Sequence, residues 1–224
     1  MHLSQRHTIL FDIDGTLLRT RGAGFSAIDR TFHEMFGIDN QTKVPAAGRT
    51  DYAILSDLFA ANEVDFEEHY ESFSQRYHVQ LETTLQQTQG DLLPGVTELL
   101  EQLQSERFQL GIVTGNAKTA AALKLKQFGL DSYFQFGGFG DNSPDRNVVA
   151  AQAVDAASEA LKDDFQIQNC WVIGDTPADV MCANSVGAKS VAVLTGGFNH
   201  VDFNGCNVNE IVADLTHLAP NDFR

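Results

Sequence analysis

Short runs of apolar, β-branched and aromatic residues alternate along the chain with longer amphipathic stretches. The runs are TILFDI (8–13), FQLGIVT (108–114), YFQFGGF (133–139), CWVIG (170–174) and SVAVLT (190–195). None alternates cleanly between apolar and polar positions, which predicts strands buried on both faces of a parallel sheet. Helical stretches separate most of them, at roughly 95–106, 117–128, 146–161 and 177–186. In PGVTELLEQLQSE, Pro94 and Gly95 stand at the entrance and apolar residues recur at 96, 99, 100 and 103. The whole pattern predicts a doubly wound α/β domain.

Residues 22–88 break the alternation. FSAIDRTFHEMFGI and DYAILSDLFAANEV carry helical spacing, and FEEHYESFSQRYHVQLETTL continues it with many charges. A helical insertion therefore follows the first strand. Two readings of it stand. The helices cover one sheet face, or they form a cap over the C-terminal end of the first strand, which is where they leave the chain. No internal repeat or low-complexity segment is visible.

Composition narrows the function classes. The 224 residues suffice for one sizeable core, or for a core with a small second unit. The net charge of −15 argues against nucleic acid or a membrane surface as partner, because both demand a basic face. A small anionic substrate remains open, since it meets a local field rather than the average. Cys170, Cys182 and Cys206 show no C-x-x-C spacing and read as reduced, partly buried thiols of a cytoplasmic protein. The opening MHLSQRH is polar and lacks the apolar core of a signal peptide, and no run is long enough to span a membrane. The state of assembly, monomer or dimer, is left open.

Ligands of open α/β sheets bind beyond the C-terminal ends of the strands. Asp12, Asp14, Gly15 and Thr16 follow the first run, Thr114, Gly115 and Asn116 the second, and Gly174, Asp175, Thr176 and Asp179 the fourth. If these strands are neighbours, four carboxylates converge on one edge. Their mutual repulsion would force some of them to take up protons. A divalent cation removes the conflict, and an all-oxygen donor set suits Mg²⁺. A carboxylate beside such a metal can attack phosphorus, and a neighbouring acid can protonate the leaving oxygen and then activate water. Thr114 offers a hydroxyl, and the Gly115 and Asn116 N–H groups, at the expected opening of a helix, offer an anion cradle.

Taken in order, DIDGTL, VTGN and GDTPADV resemble the haloacid dehalogenase-like superfamily in its phosphatase branch, over essentially the whole chain. The resemblance implies a Rossmann-like core from residues 1–21 and 89–224, with residues 22–88 as an all-helical cap of the type found in phosphoglycolate phosphatase and β-phosphoglucomutase. It implies Asp12 as nucleophile and Asp14 as general acid/base. It implies Mg²⁺ held by the Asp12 carboxylate, the Asp14 main-chain carbonyl and Asp175, with Asp179 as an outer or auxiliary ligand. The expected activity is hydrolysis of a small phosphorylated metabolite. Relatives carry a lysine after the third strand, where this chain reads GDNSPDRNVV. Arg146 is the best positional match and supplies the same charge with different geometry, with Lys124 and Lys126 of the preceding helix as alternatives. Arg19 stands where many relatives have an acid.

Several residues carry competing readings. Asp179 can equally be a first-turn helix residue favoured by the dipole, and Arg146 a surface charge at a helix entrance. Arg49, in the small-residue loop AAGRTDY, and Arg21 are candidates for contact with the rest of the substrate, against the alternative of solvated charges. Lys118 reads as solvated and Trp171 as core. GGFG (137–140) and TGGF (195–198) lack dinucleotide-binding spacing and read as loops, and the seven histidines show no ligand spacing. A phosphomutase and a catalytically silent binding protein are the alternatives to a phosphatase. A dehalogenase does not need an acid at position 14.

Overall fold

The computed structural model describes residues 7–224; the opening polar segment and the start of the expected core lie, for residues 1–6, outside the described residues. Among the described residues six parallel strands form the central sheet. They are β1 (Thr8–Phe11), β4 (Gln109–Val113), β5 (Phe136–Gly138), β6 (Cys170–Gly174), β7 (Lys189–Val193) and β8 (Glu210–Val212). Their spatial order is β5-β4-β1-β6-β7-β8. The first, second and fourth sequence runs are thus direct neighbours. Leu10 of β1 stands opposite Gly111 of β4 and Val172 of β6.

Successive side chains of a strand point to opposite faces. Here the two faces bury different clusters, which explains the missing polar alternation. Ile9, Phe11, Leu110, Ile112, Trp171 and Ile173 pack on one side with Val96, Leu99, Leu100 and Leu103 of α4 (Val96–Ser105). Leu10, Val113, Cys170 and Val172 pack on the other with Val149, Ala150 and Ala153 of α6 (Arg146–Leu161) and with Cys182 and Ala183 of α7 (Pro177–Ser185). Trp171 is a core residue whose Nε1–H donates to Phe223 O at 3.2 Å. Burial pushes the Cys170 and Cys182 thiols up to about 12, so both stay protonated and inert.

Two features had no counterpart in the sequence pattern. β8 is only three residues long, too short for a periodicity to show. The connections into and out of the insertion pair as an antiparallel ribbon, β2 (Leu18–Arg19) with β3 (Asp91–Leu92). The third run also contributes less strand than expected. Only Phe136–Gly138 pairs with β4, while Tyr133 and Phe134 pack on the core from the preceding turn.

Between the two ribbon strands lie α1 (Ala23–Phe36), α2 (Asp51–Ala61) and α3 (Phe66–Gln87). Thr50 and Asp65 cap α2 and α3 through their side chains, and Gly37 ends α1 in a left-handed conformation. The three helices share an aromatic cluster in which Phe73 lies 4.8 Å from Phe32 and 4.9 Å from Phe59, centroid to centroid. Ala117 and Ala120 belong to the same cluster, so it is continuous with α5 (Lys118–Gln127) of the α/β unit. Backbone hydrogen bonds complete the junction, from Asp51 N–H to Gly115 O at 2.7 Å and from Tyr52 N–H to Gly140 O at 3.2 Å. Among the described residues no helix is long and apolar enough to cross a membrane.

Candidate active site

A cavity of about 440 Å³ opens at the C-terminal edge of β1, β4 and β6, between that edge and the insertion. The parallel ladder itself places Asp12, whose N–H donates to Ile173 O at 2.9 Å. The chain then turns tightly over Ile13–Leu18. Gly15 sits at φ 86 in this turn, and a Cβ there would lie 2.5 Å from Asp175 Oδ2, so only glycine brings the loop this close to the carboxylate. Thr16 Oγ1 donates to Asp175 Oδ1 at 3.1 Å and ties the turn to the end of β6.

Asp12, Asp175 and Asp179 are all buried, and each offers an oxygen within 4.8 Å of the others. Burial, then the carboxylates around them, pushes Asp12 and Asp175 well above the ordinary carboxylate range. Arg146 and the Thr114 hydroxyl oppose the shift at Asp12. The Arg146 Nη2 lies 3.7 Å from Asp12 Oδ1 and bonds Asp179 Oδ1. Burial alone would disfavour the guanidinium charge, but Asp179 and Asp12 hold it protonated. Arg146 is therefore a buried member of the acidic cluster, not a surface charge at a helix entrance.

Asp179 lies in the first turn of α7, and its carboxylate also belongs to the acidic cluster. Its Oδ2 accepts from the Thr176 N–H at 3.0 Å and Oγ1 at 2.7 Å, the reciprocal cap of α7, while Oδ1 is taken by Arg146. Asp12 and Asp175 retain free oxygen capacity. Buried carboxylates, oxygen donors throughout and an incomplete balance of charge fit a hard divalent cation.

A second group of polar residues also lines the cavity. Lys124 Nζ lies 2.5 Å from Asp14 Oδ2 and 2.5 Å from Asn116 Oδ1. Asn116 Nδ2 in turn donates to Asp14 Oδ2 and to Thr114 Oγ1, both at 2.8 Å. The helix after β4 starts later than its sequence suggested. α5 begins at Lys118, so Gly115 and Asn116 lie in the loop before it. The Ala117 and Lys118 N–H groups are occupied by the Asp51 and Asp141 carboxylates, and the Asn116 N–H faces Thr114 Oγ1 at 3.3 Å.

The remaining candidates divide. Lys126 is exposed. Arg49 lines the cavity, but its guanidinium is bound inside the insertion, to Asp57 at 2.7 Å, Pro45 O at 3.1 Å and Ala53 O at 3.2 Å. Its backbone makes the closer approach. A Cβ on Gly115 would lie 2.0 Å from Arg49 O, so the glycine after Thr114 is needed to let the insertion this near. Arg21 pairs with Asp91 at 2.7 Å across the ribbon, and Arg19 donates to Thr195 O. Lys118 is exposed, with its Nζ 6.0 Å from the centroid of the Phe139 ring.

Asp51 was not singled out by the sequence. It accepts from Ala117 N–H at 2.8 Å, and burial raises its carboxyl to about 6, with the nearby Lys124 charge working against that rise. The contact joins residues 66 apart, and nothing in the local pattern of GRTDY announces it.

A Rossmann-like parallel sheet gathers three buried acids, Asp12, Asp175 and Asp179, at the C-terminal edge of its neighbouring strands, a group that could hold a metal ion. Over residues 9–193 the chain matches the haloacid dehalogenase-like hydrolases, and it belongs to that family. It is 27% identical to a phosphoglycolate phosphatase of Aquifex aeolicus, across 96% of this chain and 93% of the relative. It is 25% identical to the pyrophosphatase PpaX of Bacillus mycoides, across 84% and 83%. Its fold is that of a β-phosphoglucomutase from Clostridium difficile, with a TM-score of 0.73 over 97% of this chain and 95% of the other at 18% identity.

Proposed function

We propose that the chain is an Mg²⁺-dependent phosphomonoester hydrolase that acts on a small phosphorylated metabolite through an aspartyl-phosphate on Asp12. The observation that carries this reading is the pairing of two different aspartate environments in one cavity. Asp12 is buried against Asp175 and Arg146, whereas Asp14 is partly exposed and held by Lys124 and Asn116. The names of the curated relatives, phosphoglycolate phosphatase and pyrophosphatase, support phosphoryl chemistry.

Mg²⁺ held by the Asp12 and Asp175 carboxylates and the Asp14 carbonyl, with Asp179 behind them, would neutralise the gathered charge and polarise the phosphoryl oxygens. The Asp12 carboxylate attacks phosphorus while Asp14 delivers a proton to the leaving oxygen. Asp14 then takes a proton from the water that attacks the aspartyl-phosphate, and phosphate departs with Asp12 restored. Arg146 and Thr114 bind the phosphoryl group on the nucleophile's side. Asp179 acts through Arg146 and Thr176, holding both in place. Residues 22–88 serve as the cap that closes the cavity and selects among phosphate esters, because the core groups meet only the phosphoryl moiety common to all of them.

The test is phosphate release from p-nitrophenyl phosphate. Activity is expected with Mg²⁺, is expected to vanish with EDTA and to return with the metal. Asp12→Asn should lose at least ~10³-fold in turnover while keeping its thermal melt. A folded Asp12→Asn enzyme of near-normal activity would overturn the mechanism. Isomerised phosphosugar in place of free phosphate would point to a mutase.

A further inference from the structure

Lys124 is out of place as an ordinary helix residue. It lies on the face of α5 that also buries Ala120 and Ala121, and it is only 6% exposed. A lysine taken this far out of water is costly unless its charge is matched and its donors are filled. The matching groups are all at the candidate site. Asp14 and Asn116 each accept from Nζ, and the Asp51 carboxylate of the insertion is close enough for the ammonium to oppose its rise. Arg146 has a separate set of partners, Asp12 and Asp179. The site thus holds two buried cations on different aspartates, although only one cation was expected from the sequence.

We propose that the two cations divide the work, with Arg146 serving the nucleophile and Lys124 acting as a positioning residue for Asp14. The inference rests on the phosphatase reading above. Lys124 and the Asn116 amide converge on the same oxygen, Asp14 Oδ2. One carboxyl oxygen is thereby anchored, and the other is left to face the leaving group. In the first step the bond from Asp12 Oδ to phosphorus forms and the bond from phosphorus to the ester oxygen breaks. The proton carried by Asp14 passes to that ester oxygen. Misplacing Asp14 handicaps this step most when the leaving alcohol is a poor one, because a good leaving group departs without a proton.

The test uses Lys124→Met, which keeps the length and apolar stem of the side chain, and a series of aryl phosphates that differ in the acidity of the phenol. For wild type, kcat/KM should depend weakly on leaving-group acidity. For Lys124→Met it should depend steeply, with a loss of roughly 10²-fold or more on phenyl phosphate and under ~10-fold on p-nitrophenyl phosphate. Arg146→Lys should lower kcat/KM for the whole series by a similar factor, since the phosphoryl group is common to it. Lys124→Arg, which keeps the charge, should recover part of the phenyl phosphate activity. If Lys124→Met melts early, Lys124→Gln provides the same comparison with a polar replacement. Equal losses across the series in a folded, active variant would overturn the proposal and leave the phosphatase reading standing. Inactivity of wild type toward every member would overturn the phosphatase reading itself and this proposal with it.

Discussion

The α/β unit and the helical insertion use charge in opposite ways. In the α/β unit, charged side chains at the strand ends are buried and turned toward one another. Asp12, Asp175, Asp179 and Arg146 form one cluster, and Lys124 reaches Asp14 beside it. In the insertion Arg49 pairs with Asp57 and Arg76 with Glu34, outside an interior rich in phenylalanine. Buried charge is destabilising unless it is used or matched. Its concentration in one region therefore marks the candidate site, and the proposed role of the insertion, to supply shape, needs no such concentration. Asp51 is the exception, a half-buried carboxylate that the insertion places against the start of α5.

Removing Arg146 should produce the largest departure from this division. Arg146→Ala strips the only cation from the Asp12–Asp179 side among the described residues. We expect turnover of p-nitrophenyl phosphate to fall by ~10²–10³-fold, with Arg146→Lys retaining more because the charge survives without the forked geometry. Full activity in Arg146→Ala would mean that the core does not need its buried cation.

Asp51 gives an intermediate effect, read in stability. Its folded carboxyl titrates near 6, above its unfolded value, because of burial. The folded state thus holds the proton more tightly, and stability falls as pH rises from about 4 to about 6 and then levels off. Asp51→Asn retains an acceptor for the Ala117 N–H and removes that titration. Compared with wild type, it should gain on the order of 2–3 kcal/mol between pH 4 and pH 7 in chemical denaturation. Parallel pH profiles for the two proteins would show that Asp51 is not buried in solution, and hence that the insertion does not sit closed against α5.

Arg49 should give the smallest effect. Its guanidinium is committed to Asp57 in a partly exposed pair, a class of contact worth about 1 kcal/mol or less. Arg49→Ala is expected to change KM by no more than ~3-fold, and similarly for p-nitrophenyl phosphate and for a carboxylated or doubly phosphorylated substrate. A selective rise in KM for the anionic substrates would show that Arg49 leaves Asp57 to bind them, and would make the insertion a carrier of functional charge after all.

The pattern of the chain sufficed for the strands that carry the site. Strand periodicity is a property of the backbone, so buried runs such as TILF and CWVIG can be read without a partner in view. The acids that end them, Asp12 and Asp175, need only strand adjacency to meet, and a parallel sheet with β1 between β4 and β6 provides it. β8 and the ribbon of β2 with β3 were hidden because two or three residues cannot establish a period. Position 146 was visible as a cation after the third run, but its burial between Asp12 and Asp179 was not.

What only tertiary structure decided are the pairings of long side chains across helices. In KTAAALKLKQ, Lys124 and Lys126 look alike, yet the turn of α5 buries the first beside Asp14 and exposes the second. Arg49 stands at the centre of a loop where sequence allows a substrate contact, and the second turn of α2 brings Asp57 to claim it. The amino-acid sequence determined a parallel sheet with acids at the ends of its central strands, because hydrophobic period and residue type are local properties. Which cation meets which acid was decided by the packing of α2, α5 and α6, because helix placement brings together residues as far apart in the chain as Asp14 and Lys124 or Asp12 and Arg146.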